Sequence, residues 1–123
     1  MLKHVGVAGM LSLTTFAAAF ADEPDPVRGQ MYAKQLCAGC HAIAADGQAS
    51  PLAAAPPFLK VAKIDAHTPE SFADWLGTAH PVINGVAVKA PVAGDILAYI
   101  RGLIAEKKKA EAAPPRLAAS RAG

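Results

Sequence analysis

Sulfur is scarce in this chain, with two cysteines and three methionines in 123 residues. Two cysteines fall short of the four ligands that a structural zinc site takes. Aromatics are also few, at four Phe, two Tyr and one Trp, so a core built only from the chain's own rings would be thin. No strand-rich periodicity is visible, which removes the βαβ setting that a thioredoxin-like cysteine pair belongs to. There is no basic stripe with interleaved aromatics, and hence no nucleic-acid surface. Past residue 20 no apolar run approaches the roughly 20 residues needed to span a bilayer. No nucleophile–base pair or catalytic carboxylate constellation can be read. Asp46, Asp65, Glu70 and Asp74 read as solvated loop and cap residues.

What is present is concentrated in five residues, Cys37-Ala38-Gly39-Cys40-His41. C-x-x-C-H reads as a c-type haem attachment site. Two thiols a few residues apart reach the two vinyl groups of one haem and form two thioethers. The next residue, His41, is then held under the iron, where an imidazole nitrogen binds it. The cofactor carries the redox chemistry, and the chain supplies ligands, burial and electrostatics. A bare C-x-x-C also fits a redox pair, half a zinc site or a disulfide. His4, His67 and His80 add nitrogens on paper, but none has the paired spacing of a zinc module.

The N-terminus points to export. Met1-Leu2-Lys3-His4 is a short positive start, Val5 to Phe20 is apolar, and Ala19-Phe20-Ala21 is an A-x-A cleavage signature before the Pro-broken Asp22-Glu23-Pro24-Asp25-Pro26. This pattern is that of a secretory signal peptide over residues 1–21, with the periplasm as destination. Export agrees with the haem reading, because a free cysteine pair outside the cytosol tends to oxidise. The remaining 102 residues make one small domain. A haem fixed at its centre would supply an apolar plate on which the few large side chains pack. Residues 22–105 carry six basic against eight acidic residues, and residues 106–123 carry five against two. A mildly acidic domain, 22–105, is therefore expected ahead of a disordered basic tail, 106–123, that contains Lys107, Lys108 and Lys109.

Within the mature chain, Asp25-Pro26 opens a first helix through about Cys37, with Val27, Met31 and Leu36 facing inward and Lys34 or Gln35 at the margin. Gly29 is a poor helix former and marks either a close backbone approach or a frayed end. Asp46-Gly47 and Ser50-Pro51 signal turns, and Phe58 to Ile64 forms a short helix. Thr68-Pro69-Glu70-Ser71 starts another helix, with Phe72, Trp75 and Leu76 on one face and Gly77 at its end. Pro91 opens a last helix through about Ala105, with an apolar stripe of Ile96, Leu97, Ile100, Leu103 and Ile104 beside Tyr99.

From about Asp25 to Leu103 this pattern resembles a class I monohaem cytochrome c. Gly29, eight positions before Cys37, matches the small residue of that family's N-terminal helix, and Asp95-Ile96-Leu97-Ala98-Tyr99-Ile100 matches its aromatic-bearing C-terminal helix. The resemblance implies an all-α fold in which these two helices cross, with Gly29 and Tyr99 at the crossing and short helices and loops wrapped round one covalent haem c. It implies Cys37 and Cys40 as attachment points and His41 as proximal iron ligand. It also implies a carbonyl from Pro56 or Pro57 that accepts the other N–H of His41.

The chain departs from the family at the distal side. Segments of the type H-P-x-M-P-N supply a methionine ligand, but here the segment is His80-Pro81-Val82-Ile83-Asn84-Gly85. Ile83 has no donor atom. Met1 and Met10 fall in the leader, and Met31 on the first helix is expected in the core. Iron is then either five-coordinate under Ile83, or bound by His80 or by His67; the other reading of His80 is a loop histidine that bonds a propionate or a backbone group. A potential below that of Met-ligated relatives follows. The functional expectation is an exported, monomeric carrier of single electrons that docks redox partner proteins. A five-coordinate binder of carbon monoxide, nitric oxide or peroxide with weak peroxidase activity is one alternative, and a small subunit of a periplasmic oxidoreductase is another.

Overall fold

Each α-helix among the described residues starts where a side chain or a proline relieves its unpaired N–H groups. In the computed structural model, which describes residues 22–61, 64–80 and 87–114, α1 spans Pro26–Tyr32. The Asp25 carboxylate accepts the Val27 N–H at 2.7 Å, and Pro26 sits in the first turn, where no donor is needed. The helix then widens into a π-helical turn over Ala33–Cys37, with the Ala38 N–H on the Ala33 carbonyl at 2.9 Å. Such turns are rare and cluster at functional sites. Helix α2 spans Pro69–Ala79 behind a reciprocal cap, in which Thr68 Oγ1 accepts the Ser71 N–H and Ser71 Oγ accepts the Thr68 N–H. Helix α3 spans Ala90–Ala112. Two single 3-10 turns, Phe58–Lys60 and Ile64–Ala66, stand where one short helix was expected. No strand occurs among the described residues, and no helix among them is long and apolar enough to cross a membrane. The fold is all-α.

Helix α3 is the central element, with α1 and α2 packed on it. Its Ile96, Leu97, Ile100 and Leu103 are buried with Phe58, Ile64, Phe72 and Leu76. At the crossing with α1, Gly29 lies directly on the α3 backbone. A Cβ at that position would collide with the Asp95 carbonyl and with Cβ of Tyr99. The close-approach reading of Gly29 is the one the structure supports.

Beside the crossing sits a polar knot. Asp95 is 4% exposed. It accepts Arg28 Nε at 2.9 Å, Arg28 Nη2 at 3.1 Å and the Asp25 N–H at 2.6 Å. Burial alone would push its carboxyl up. The Arg28 and Asp25 hydrogen bonds and the Arg28 charge outweigh this and hold it below the usual carboxylate range.

Three expectations are corrected here. Val27 and Met31 were placed inward, but they are 67% and 54% exposed, while Gly29 and Ala33 are buried. The smallest residues of α1 face α3 because the backbones approach too closely for larger ones. Gly77 does not end α2, which runs on to Ala79. The helix stops at His80, since the residue before a proline is pushed out of the α region. Helix α3 continues seven residues past Ala105, so residues 106–112 are helical and the disordered tail does not begin at 106. Good helix formers and a Lys107–Glu111 ion pair at 3.8 Å carry it onward. The leader (1–21), Ile83 and tail residues 115–123 lie outside the described residues.

Two outcomes test this packing. Gly29→Ala overpacks the crossing and should lower unfolding stability by about 1–3 kcal/mol. Gly77→Ala adds a methyl where nothing lies within 4 Å and should raise stability by about 0.5–1 kcal/mol; denaturant midpoints of the holoprotein read both. Because the folded chain holds the Asp95 carboxyl below its unfolded value of about 3.9, its stabilisation is full above that pH. It is lost as pH falls through the lower folded value. Asp95→Asn should therefore be less stable than wild type at pH 6, with the gap narrowing in acid titrations below pH 4.

Candidate functional site

A cavity of about 550 Å³ opens between α2, α3 and the segment from Leu36 to Val61. Its walls are apolar, built by Phe58, Phe72, Leu76, Ile96 and Ile100. The C-x-x-C-H segment forms one side, and Cys37, Cys40 and His41 all line the cavity. A tight turn holds them there, with the N–H groups of Cys40 and His41 both on the Cys37 carbonyl, at 3.1 and 2.9 Å. The following chain is pinned by the Ala42 N–H on Ser50 Oγ at 3.0 Å and the Phe58 N–H on the Ala42 carbonyl at 2.9 Å. Tyr99 reaches over from α3 and donates its hydroxyl to the Ile43 carbonyl at 3.0 Å. The helix crossing thus also fixes the histidine-bearing loop.

No disulfide joins the two cysteines, of which Cys37 is half-buried and Cys40 exposed. Burial, with a smaller contribution from Cys40, pushes the Cys37 thiol up to about 11 in the chain without a cofactor. No three His, Cys, Asp or Glu side chains converge on a metal position among the described residues. The zinc reading has no ligand set there, and the absence of strands there removes the thioredoxin setting.

His41 Nδ1 lies 2.7 Å from the Pro56 carbonyl. A carbonyl only accepts, so this nitrogen carries the proton, and Nε2 keeps its lone pair. Of the two candidate prolines, Pro56 makes the contact and lines the cavity. Pro57 does neither; its carbonyl accepts the Lys60 N–H of the next turn at 2.8 Å. Of the two alternatives, the carbonyl beside the His41 ring is that of Pro56.

His80 stands at the C-terminus of α2, its N–H on the Leu76 carbonyl at 2.6 Å. Its ring lines the cavity beside that of His41, with centroids 5.8 Å apart and planes tilted by 55°, and meets the edge of Trp75 at 6.2 Å. Burial, and then the neighbouring His41, hold its pKa below the ordinary imidazole value, which favours the neutral form. Its Nδ1 is buried and has no hydrogen-bond partner among the described residues. His67 does not line the cavity; its Nδ1 lies 3.3 Å from Ser71 Oγ, and its ring packs against Phe72 and Trp75. Met31 does not line it either. Sequence reasoning missed the Arg28–Asp95 knot and the Tyr99–Ile43 bond, because both partners of each lie far apart in the chain. The acid inside the α3 apolar stripe was the available signal for the first.

The arrangement suits a flat, apolar, covalently attached group under His41. An apolar void meets two thiols and one imidazole whose proton is already committed to a backbone carbonyl. The chain is 38% identical over 102 residues to cytochrome c-552 of Bradyrhizobium diazoefficiens, covering 81% of this chain and 97% of that protein. No family model and no solved structure matches.

Tyr99→Phe removes one bond to the loop that follows His41. It should cost about 0.5–1.5 kcal/mol of stability while leaving the visible absorption spectrum unchanged, as denaturant unfolding and spectroscopy on one sample would show.

Proposed function

This chain belongs to the class I c-type cytochromes, and on that premise we propose that it is an exported carrier of single electrons. It carries one covalent haem c, for which Cys37 and Cys40 are the thioether positions and His41 the proximal iron ligand. The observation that carries the site assignment is the His41–Pro56 contact of 2.7 Å inside an apolar cavity lined by both cysteines. When bound, haem c supplies a reversible ferric–ferrous couple.

The chain's own residues do the rest. Cys37 and Cys40 fix position. Pro56 fixes the His41 tautomer and ring orientation and raises the basicity of Nε2. Phe58, Phe72, Leu76, Ile96 and Ile100 keep water from the cavity, and a low-dielectric surround lowers the reorganisation that accompanies a change of charge. The π-helical turn ends at Cys37 and sets where the chain enters the site. The likeness to cytochrome c-552 favours a carrier over an enzyme. The leader at residues 1–21 supports a periplasmic location, and redox partner proteins are the expected donors and acceptors.

The test is a spectroelectrochemical titration of the purified holoprotein. A carrier gives one reversible wave that transfers one electron and superimposes over repeated cycles. A wave that decays on cycling, or reduction by two electrons, contradicts the proposal.

A further inference from the structure

The cavity wall presents another imidazole beside His41, and we propose that His80 is the second axial ligand of the iron, giving a bis-histidine haem. This rests on the haem-carrier reading above and goes beyond it, since the family pattern supplies a methionine at this side.

Elimination on the cavity wall comes first. Setting aside the two cysteines and His41, only Trp75 and His80 among the described lining residues carry a side-chain heteroatom. The indole N–H only donates. His80 alone brings a lone-pair nitrogen. The chain's three methionines do not compete: Met31 sits on the exposed face of α1, away from the cavity, and Met1 and Met10 belong to the leader. His67 lies off the cavity with its Nδ1 near Ser71. Ile83, at the methionine position of the pattern, has no atom that binds a metal.

Spacing is the second observation. Imidazole–metal bonds are about 2.0–2.1 Å for a first-row ion such as zinc. With each nitrogen roughly 1 Å from its ring centre, an ion bound on both sides separates the centroids by about 6 Å. The His41 and His80 centroids are 5.8 Å apart. That separation matches the spacing of two imidazoles on one ion, with the ring planes tilted by 55°.

The third observation is an unmet requirement. A buried polar nitrogen without a partner is costly, and His80 Nδ1 is such a nitrogen. A buried ring nitrogen with no partner among the described residues, on the wall of a cavity that suits a metal-bearing group, is accounted for if the metal takes it. His80 is also well supported. Its backbone closes the last turn of α2 on Leu76, and Trp75 packs against its ring. A ligand at a helix end is held more firmly than one in the middle of a loop.

The experiment compares wild-type and His80→Ala holoproteins by absorption and electron paramagnetic resonance spectroscopy, with carbon monoxide added to the reduced forms. Wild type should be low-spin in both oxidation states, with the near-infrared signature of two nitrogen ligands and little carbon monoxide uptake. His80→Ala should lose the low-spin spectrum, bind carbon monoxide rapidly and fully, and regain a low-spin spectrum when imidazole is added. His67→Ala should match wild type. His80→Met should shift the reduction potential upward, as methionine ligation does. The proposal is overturned if wild-type iron is high-spin and open to carbon monoxide, or if His80→Ala keeps the wild-type spectrum. The wild-type spectra decide the question even where a variant fails to fold. In each overturning case a reversible one-electron wave would leave the carrier reading intact, so the two failures are told apart.

Discussion

Two helix backbones cannot approach until one of them carries no side chain at the point of contact. Gly29 meets this condition where α1 lies on α3, against the Asp95 carbonyl and Tyr99. Much else follows from the crossing. It places Arg28 beside Asp95, so the buried carboxylate finds its partner. It sets the exit direction of α1, and hence where the π-helical turn delivers Cys37 to the cavity. It brings Tyr99 to the Ile43 carbonyl and so anchors the loop that leaves His41. One methyl at position 29 would disturb the packing, the ion pair and the site together.

The second constraint is size. A chain of this length buries a modest fraction of its surface, and α3 supplies much of the apolar material. Around the cavity the large side chains form a shell with an interior they do not fill. Such a shell gains its central contacts only from a bound apolar body. Fold and cofactor are therefore coupled. The walls that exclude water from the site are also the domain's core, so substitutions of Phe72 or Ile100 act on stability and on the site at once.

Local signals carried the legible part. Asp25-Pro26 and Thr68-Pro69 mark helix starts because capping depends on residues two or three positions away. The stripe of Ile96, Leu97, Ile100 and Leu103 is buried as its period requires. Cys37-Ala38-Gly39-Cys40-His41 named its chemistry through covalent spacing alone. Where sequence reading went astray, the deciding contact was distant. The inward face of α1 was misassigned because hydrophobicity favours Val27 and Met31, whereas the close approach favours Gly29 and Ala33. The choice between Pro56 and Pro57 depended on which carbonyl the folded loop turns toward the His41 ring. The proximity of His41 and His80 depends on how α2 packs against the loop, which no local pattern in the chain records. The last turns of α3 were missed because solvated alanine, lysine and glutamate sustain a helix without an apolar stripe.

All of this presumes that the cavity belongs to a porphyrin bonded to the chain at Cys37 and Cys40. Intact mass spectrometry of the denatured, exported protein tests that most directly. The predicted mass is that of the processed chain plus one haem, added through two thioethers, and it persists after unfolding and extraction with acidified organic solvent. The mass of the bare processed chain, with the porphyrin left in the organic phase, would contradict the account.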